Sequence, residues 1–235
     1  MTMLQAILRT RKQFTHLKKT KQQETILEQV NTDSGRYYKT PTGVLYPSVT
    51  TVTGIIGRDG IEQWRKRVGE EEANKISKAA TIRGTRIHQL LEDYINGSEI
   101  DTTKYSFADA DNFKLIKGVL DSDVDNIHLQ EERLYSDYLE MAGTVDCVAE
   151  YKGKLSIIDF KTARKAKNRD HIKNYFLQAT AYAIMYEERF DIPVNRIVIM
   201  ISVDDDFPQV FMDRRDNYVD ELLKVRKQYK ELYNI

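Results

Sequence analysis

The chain has 235 residues, which is enough for one domain with a sizeable core. Its 36 basic and 36 acidic residues give a formal net charge of zero, so any nucleic-acid surface must come from local clustering of charge. The single cysteine excludes an intrachain disulfide framework, a cysteine-ligated iron–sulfur cluster and a cysteine-rich zinc finger, and it fits a reducing compartment. The sequence contains neither an apolar run of about 18 residues, as a membrane span needs, nor a P-loop pattern.

Residues 1–35 are basic and polar, and we predict an N-terminal arm here, before a single domain over residues 36–235. Basic residues are abundant before the first acid, Glu24; they are Arg9, Arg11, Lys12, Lys18, Lys19 and Lys21. An organelle transit peptide is the alternative, but serine is scarce, so a helical or flexible arm is expected. The segment has no secretory hydrophobic region.

The rest of the chain alternates helical and strand patterns. The predicted elements are a hairpin over residues 35–46, a short helix capped by Ser48, a helical stretch over 61–95 with breaks near Gly69 and Gly84, a helix over 107–120, three strands over 129–160, a helix over 171–188, a buried strand over 196–203 and a closing helix over 213–233. This mixed order predicts one α/β domain with a mixed sheet.

Two acids end apolar, β-branched runs in the predicted three-stranded region. A tight turn centred on Lys152 and Gly153 would make a hairpin and place Asp146 directly opposite Asp159, with Cβ atoms about 5 Å apart. Lys161 is two residues after Asp159 and shares its face. A bulge at Gly153 would shift this pairing by one residue.

Two facing carboxylates repel each other, and a divalent cation removes that penalty. Carboxylate oxygens suit Mg²⁺ or Mn²⁺. Lys161 could then orient or deprotonate a water at the metal, or stabilise charge on a phosphate. The alternative is a surface hairpin in which Lys161 only neutralises Asp159. Since both acids follow runs that are expected to be buried, the pattern favours a metal site.

Two predicted helices carry further candidates. His88 shares a helix face with Gly84, and that glycine would allow a close backbone approach, although a lone helical histidine is more often a surface residue than a ligand. Gln178 and Tyr182 lie one turn apart on the helix after the hairpin. They either belong to a functional site or are ordinary polar residues at the edge of the hydrophobic core. Glu131 begins the strand before the hairpin, a position where acids are usually solvated.

Four short patterns follow one another in the expected order: Gly-x-x-x-His ending at His88, Gly-x-x-Asp ending at Asp146, Asp-x-Lys ending at Lys161, and Gln-x-x-x-Tyr ending at Tyr182. Together they resemble the RecB-like branch of the PD-(D/E)XK nuclease superfamily. Residues 46–50 and the charged helix around Trp64 resemble, more specifically, the mitochondrial genome maintenance exonucleases and their phage and bacterial relatives. The resemblance covers roughly residues 36–205.

The resemblance implies a restriction-endonuclease-like PD-(D/E)XK core, in which helices flank a mixed central sheet and a helical arch, here residues 61–80, is inserted. It implies a DNA exonuclease that uses Mg²⁺ or Mn²⁺ and acts on single-stranded or flapped ends in replication, repair or recombination. A structure-selective endonuclease, a non-catalytic single-strand-binding module and a neutral protein scaffold are the alternatives. A helicase or a single-strand-binding protein is a candidate partner, and no membrane is involved. The expected compartment is the cytoplasm, with the mitochondrion as the alternative.

The resemblance also implies roles for single residues. His88, Asp146, Asp159 and the Phe160 carbonyl resemble metal ligands, and Lys161 resembles the residue that positions the attacking water. Gln178 would steady the lysine or the scissile phosphate, with support from Tyr182, and Glu131 matches an upstream acid. The predicted DNA contacts are the basic residues after Lys161 and residues of the more specific resemblance: Arg164, Lys165, Lys167, Arg169, Ser48, Trp64 and Arg65. For the basic loop, the alternative is a solvated surface loop, and for Trp64 it is an ordinary core aromatic.

Overall fold

The computed structural model describes residues 1–17 and 27–234, so Lys18, Lys19, Lys21 and Glu24 of the basic segment lie outside the described residues. None of the helices in the described part is long and apolar enough to cross a membrane. In chain order the elements are α1 (Met3–Ile7), β1 (Glu28–Thr32), β2 (Gly35–Lys39), β3 (Leu45–Pro47), α2 (Val49–Thr53), α3 (Arg58–Val68), α4 (Glu70–Ile95), α5 (Phe107–Asp123), β4 (Val124–Ser136), β5 (Met141–Tyr151), β6 (Lys154–Ala163), α6 (Lys173–Phe190), β7 (Arg196–Val203), β8 (Gln209–Arg214) and α7 (Val219–Tyr233).

Five strands form the central sheet in the order β4-β5-β6-β7-β8. The pairs β4–β5, β5–β6 and β7–β8 are antiparallel, whereas β6 and β7 run parallel and are connected through α6. A parallel neighbour needs such a crossover, and a helix is the usual one. The prediction of an α/β domain with a mixed sheet is confirmed.

Helices cover both faces of this sheet. Helices α2, α6 and α7 pack with one buried cluster, and α1, α4 and α5 pack with another. Strand β7 shows why its sequence is apolar throughout: Ile197 and Ile199 contribute to the first cluster, while Val198 and Met200 contribute to the second. A strand that is buried on both faces reads as a continuous apolar run, and the predicted bounds of β7 are confirmed.

A second, antiparallel sheet of β1, β2 and β3 lies against the start of β5. Ser48 and Ala142 form a parallel bridge between the two parts, and Tyr38 is buried with Ala142. Ser48 also caps α2, because its Oγ accepts the Thr51 N–H at 3.0 Å. The predicted hairpin and the predicted capped helix are therefore confirmed, and they form one wall of the cleft described below.

Two predicted boundaries are wrong. Helix α3 does end at Gly69, where φ is +88°, but α4 continues through Gly84 without a break. A glycine inside a helix costs only about 1 kcal/mol, and the buried second half of α4 more than offsets that cost. The closing helix begins at Val219 rather than at residue 213, because residues 209–214 pair with β7 as strand β8.

The N-terminal segment contacts the domain at the C-terminal end of α4. The Arg11 guanidinium donates to the Ser98 carbonyl at 2.7 Å and to the Tyr94 carbonyl at 2.9 Å. Lys12 Nζ donates to the Val124 carbonyl at 2.6 Å. Tyr94 lies in the last turn of α4, so the Arg11 cation complements the helix dipole there, whereas the Ser98 and Val124 carbonyls lie outside the helices. The division of the chain at residue 35 stays a prediction.

Candidate functional site

The hairpin of β5 and β6 has the predicted register. Lys152 and Gly153 both have positive φ, +49° and +69°, as a two-residue type I′ turn requires. The ladder runs from the Tyr151–Lys154 pair to the Cys147–Ile158 pair without a bulge. One further step in this register reaches the two acids, Asp146 and Asp159.

Both acids are nearly enclosed by the protein. Asp146 is 8 % exposed and Asp159 only 1 %. The Oδ2 atom of Asp146 accepts the backbone N–H of Phe160 at 2.8 Å, so this carboxylate is bound to strand β6 next to Asp159. The buried hairpin that the sequence predicted is confirmed, and the alternative of freely solvated acids does not describe it.

Asp159 forms an ion pair with Lys161, whose side chain is 19 % exposed and lies with Nζ 5.2 Å from the centre of the Tyr175 ring. The Oδ1 atom of Asp159 is buried and has no hydrogen-bond donor among the described residues. Burial raises the pKa of Asp159 to about 6, against the opposing charge of Lys161 and with a contribution from Asp146. This carboxylate thus keeps a buried oxygen for which the described residues supply no hydrogen-bond donor.

His88 of α4 completes the cluster from the opposite face of the cleft. Its Nδ1 lies 3.7 Å from a carboxylate oxygen of Glu131 and 3.7 Å from one of Asp146, and its Nε2 lies 3.0 Å from the Phe160 carbonyl oxygen. His88, Glu131 and Asp146 each offer one potential ligand atom, and these three atoms all lie within 4.8 Å of one another. The structure therefore brings together the histidine and the acids that the sequence analysis named.

Glu131 occupies this cluster with a strained backbone. Its φ is +46°, in the left-handed region that costs a non-glycine residue roughly 1–2 kcal/mol. It lies between the Gln130–Cys147 and Glu132–Val145 pairs of β4 and β5, so it is opposite Asp146. The row of acids across three strands is thus Glu131, Asp146 and Asp159, and the first is not the solvated strand-end acid that its position in the sequence suggested.

These residues fit a divalent cation. Two carboxylates and one imidazole, those of Glu131, Asp146 and His88, surround a small volume, and an unpartnered buried oxygen on the neighbouring Asp159 is what a metal ligand leaves when the ion is removed. Carboxylate oxygens suit Mg²⁺ and Mn²⁺, and the imidazole nitrogen suits the softer Mn²⁺ better. His88, Glu131, Asp146 and Asp159 are the residues that would hold it.

The free energy of unfolding of the metal-free protein is expected to fall by about 1–3 kcal/mol as the pH rises from 6.5 to 9. Burial lowers the pKa of His88, but the charge of Asp146 and a hydrogen bond with Glu131 outweigh it and raise the pKa to about 9. A group with a higher pKa in the folded state stabilises the fold below its unfolded pKa, and that contribution disappears as the pH passes the folded value.

Urea denaturation at a series of pH values, in the presence of a chelator, measures this slope. His88→Gln is the matched variant, because glutamine cannot take up the proton and the variant should show little slope in this window. Equal slopes in the two proteins would contradict the assignment to His88.

Gln178 and Tyr182 lie on α6 beneath the hairpin. A Cβ added to Gly143 would meet the hydroxyl oxygen of Tyr182 at 2.8 Å, so the glycine two positions before Val145 leaves room for this ring. Tyr182 is 3 % exposed, and burial raises its pKa, while a hydrogen bond with Gln178 opposes the shift. The packing of Gly143 against Tyr182 therefore joins the Gly-x-x-Asp strand to the Gln-x-x-x-Tyr helix.

The cluster opens into a cleft of about 430 Å³ between α4, α6 and the small sheet. At Gly84 an added Cβ would meet no protein atom within 4 Å, so this glycine leaves part of the cleft open. The side chains that line the cleft and were absent from the predicted site are Arg36, Tyr38, Thr50, Gln89, Glu92 and Thr144. Glu92 could have been found from its helix face, which it shares with His88, whereas no local pattern marks Arg36.

Residues 122–200 match the PD-(D/E)XK nuclease superfamily, and this segment covers β5, β6 and α6 with the acids and Lys161 described above. Over this segment the chain is similar to the PD-(D/E)XK nucleases. The fold predicted from the sequence, a mixed sheet flanked by helices around these motifs, is thereby confirmed.

The domain is also similar to named exonucleases. Mitochondrial genome maintenance exonuclease 1 from Homo sapiens is 28 % identical over 163 residues, which cover 63 % of this chain and 45 % of that protein. The Xenopus tropicalis protein of the same name is 29 % identical over 157 residues, or 63 % of this chain and 44 % of that one. The chain thus spans about half the length of the curated relatives that it matches. A solved Eubacterium rectale protein aligns with a TM-score of 0.44 and 14 % identity over 62 % of this chain and 64 % of its own.

The predicted DNA contacts in the loop after β6 are all exposed; they are Arg164, Lys165, Lys167 and Arg169. The Arg169 side chain forms an ion pair with Asp213 and lies 4.8 Å from the centre of the Phe176 ring. The backbone of Lys167 is hydrogen-bonded to Gln209 of β8. Contact with DNA stays a prediction for the loop, in which Arg164, Lys165 and Lys167 have no ion-pair partner among the described residues.

The other predicted DNA contacts lie on α2 and α3. Ser48 lines the cleft but is 2 % exposed, and its hydroxyl caps α2. Trp64 is half-buried, and the Arg65 guanidinium reaches across the helix joint to Glu70 and, at 2.7 Å, to Asn74. Arg65 therefore links α3 to the start of α4.

Helices α3 and the first half of α4 project from the domain. Helix α3 has no buried residue, and Ala73 is the only buried residue of α4 before Ile87. The two helices meet at Gly69 and carry the residues that were predicted to form an arch. Their exposure is compatible with an arch above the cleft, and the passage of DNA beneath it stays a prediction.

Proposed function

We propose that this chain is a divalent-metal-dependent DNA exonuclease that hydrolyses phosphodiester bonds at single-stranded or flapped ends in replication, repair or recombination. The observation that carries the proposal is the convergence of His88, Glu131 and Asp146 beside the Asp159–Lys161 ion pair on the predicted hairpin. The names of the relatives place those proteins in mitochondria; for this chain we propose the cytoplasm, with the mitochondrion as the alternative.

A bound divalent cation would supply Lewis acidity and lower the pKa of a water molecule. Lys161 is positioned to act with it. Burial lowers the pKa of Lys161, but Asp159 and Asp146 outweigh burial and raise it, so the side chain is an ammonium group. Its Nζ, held by Asp159 and by the Tyr175 ring, can orient the attacking water or stabilise the charge that develops on the phosphate.

Gln178 is the polar group that faces the cleft from α6. It lines the cleft together with Asp146 and lies one helical turn from the buried Tyr182, and its own side chain is only 9 % exposed. Its side-chain amide can donate to a phosphate oxygen or steady Lys161. The contact of Tyr182 with Gly143 fixes α6 against the hairpin and so contributes to the placement of Gln178.

The proposal is tested by incubating the protein with Mg²⁺ or Mn²⁺ and with end-labelled single-stranded, duplex, flapped and circular single-stranded DNA. An exonuclease should shorten the linear single strand and the flap and spare the circle. Cleavage of the circle would identify an endonuclease instead. Binding of DNA without cleavage, with no metal binding in a calorimetric titration, would identify a non-catalytic module, and no DNA affinity at low salt would identify a scaffold.

Gly84→Ala is expected to raise the free energy of unfolding by about 0.5–1 kcal/mol and yet to slow cleavage. Alanine is the better helix former, and its Cβ meets no protein atom here, so the folded protein becomes more stable. The same Cβ projects into the cleft, where the substrate must approach α4 closely.

Gly118→Ala is the matched control, because Gly118 is an exposed glycine of α5 with equally open surroundings. It should gain stability and keep full activity. Denaturation curves and cleavage rates of both variants check the prediction, and a fully active Gly84→Ala protein would show that the substrate does not come near this face of α4.

A further inference from the structure

Arg36 is a cation in the wall of the cleft, and its side chain has no partner among the described residues. It lies on β2, and its guanidinium makes no hydrogen bond or ion pair with any residue in the described part of the chain. Its backbone, in contrast, is held on both sides: its N–H donates to Thr51 Oγ1 at 3.2 Å, and its carbonyl accepts the Ser48 N–H at 2.7 Å. The backbone of Arg36 is therefore held in place, while its guanidinium group is available to bind a ligand.

The strand that carries Arg36 is rigidly placed. A Cβ on the neighbouring Gly35 would meet Thr51 Cγ2 at 2.6 Å, so β2 packs tightly on α2 at this point. The adjacent Tyr37 hydroxyl lies 3.0 Å from the Tyr229 hydroxyl of α7, which anchors the other face of the strand. A side chain on such a base can bind a ligand at a defined position without first ordering the backbone.

The charged residues that line the cleft indicate what Arg36 binds. Its lining includes three acids, Glu92, Glu131 and Asp146, and among the described residues its cations are Arg36 and His88. His88 lies against two of those acids. A DNA strand that enters a cleft with this lining meets net negative charge, and Arg36 is the cation there that no acid of the described chain neutralises.

We infer that Arg36 binds a phosphodiester of the substrate strand other than the one that is cut, and so sets the position of the strand relative to the acids. The inference rests on the proposed nuclease function. A guanidinium suits this task because its planar fork can donate two hydrogen bonds to one phosphate. The exposed Thr50, which lines the cleft nearby, offers a hydroxyl to the same strand.

The test compares Arg36→Gln with Lys39→Gln, which removes an exposed positive charge from the same strand but outside the cleft lining. Loss of a charge-assisted contact should raise KM for a linear single-stranded oligonucleotide about 10- to 100-fold, with kcat changed only a few-fold. Lys39→Gln should keep the wild-type KM. Arg36→Lys, which keeps the charge but loses the fork, should lie between them. Since the guanidinium has no partner in residues 1–17 and 27–234, Arg36→Gln should unfold at the wild-type urea concentration.

A second measurement locates the contact on the DNA. Neutral methylphosphonate linkages are placed one at a time along the oligonucleotide. The wild-type protein should lose affinity at one uncut linkage, and Arg36→Gln should be insensitive at that same linkage, as expected for two groups that contact each other.

A wild-type KM for Arg36→Gln, or the same methylphosphonate profile for variant and wild type, would overturn this inference and leave the nuclease function standing. Equal rises in KM for Arg36→Gln and Lys39→Gln would also overturn it, since the effect would then be one of general charge. A wild-type protein that cuts no DNA with Mg²⁺ or Mn²⁺ would overturn the proposed function and this inference with it.

Discussion

Asp159→Asn and Lys161→Ala are each expected to slow DNA cleavage by at least about 1,000-fold, while the protein stays folded and its affinity for DNA changes little. Asparagine keeps the shape of Asp159 but removes the charge that a cation and Lys161 both need. Lys161→Ala removes the ammonium group that we propose acts on the water or the phosphate, and it leaves Asp159 without its ion-pair partner. Because the two side chains act as a unit, the double variant should be little slower than either single one.

Single-turnover cleavage rates, DNA binding by fluorescence anisotropy and urea denaturation measure these three properties. Lys154→Ala is the matched control, since Lys154 is an exposed lysine on the same strand β6, at the turn of the hairpin. It should cut at the wild-type rate. If Asp159→Asn or Lys161→Ala also cut at that rate, the hairpin would not be the active centre and the nuclease assignment would fail.

Gly143→Ala is expected to lower the free energy of unfolding by about 1–3 kcal/mol, the usual cost of overpacking. The new Cβ would lie 2.8 Å from the Tyr182 hydroxyl oxygen and 2.9 Å from a ring carbon, both too close for atoms that cannot move apart. Tyr182 is buried on a helix that packs tightly on the sheet, so the ring cannot swing into solvent. A displaced Tyr182 would also shift Gln178, and cleavage should slow as well.

Tyr182→Leu tests whether this contact is the cause. Leucine has no atoms at the positions of the hydroxyl and the outer ring carbons, so Gly143→Ala should cost almost nothing when it is added to Tyr182→Leu. Urea denaturation of the four proteins in this cycle gives the coupling free energy directly. A Gly143→Ala cost that is the same with tyrosine and with leucine at position 182 would show that the destabilisation has another origin.

Local sequence was sufficient for the hairpin that carries Asp146 and Asp159. A lysine and a glycine in a two-residue turn impose one register, and the period of two then decides which side chains share a face. Strand β7 was predictable for the same kind of reason, because a strand buried on both faces must be apolar throughout.

Local sequence was insufficient where packing competes with a weak local preference. Gly84 was expected to break a helix, but the buried residues that follow it hold α4 straight through the glycine. Residues 209–214 have no clear alternation, and only the available edge of β7 makes them a strand.

The sequence alone determined which residue types form the candidate centre and in which order they occur. Only the tertiary structure decided that these residues lie close together in space. His88 and Phe160 are 72 residues apart in the chain and 3.0 Å apart in space, because α4 packs across the sheet. No local signal marks the strained backbone of Glu131, or the Arg36 guanidinium that no residue in the described part of the chain binds. Strain and the absence of a partner are properties of the surroundings, and the surroundings exist only once distant segments have packed together.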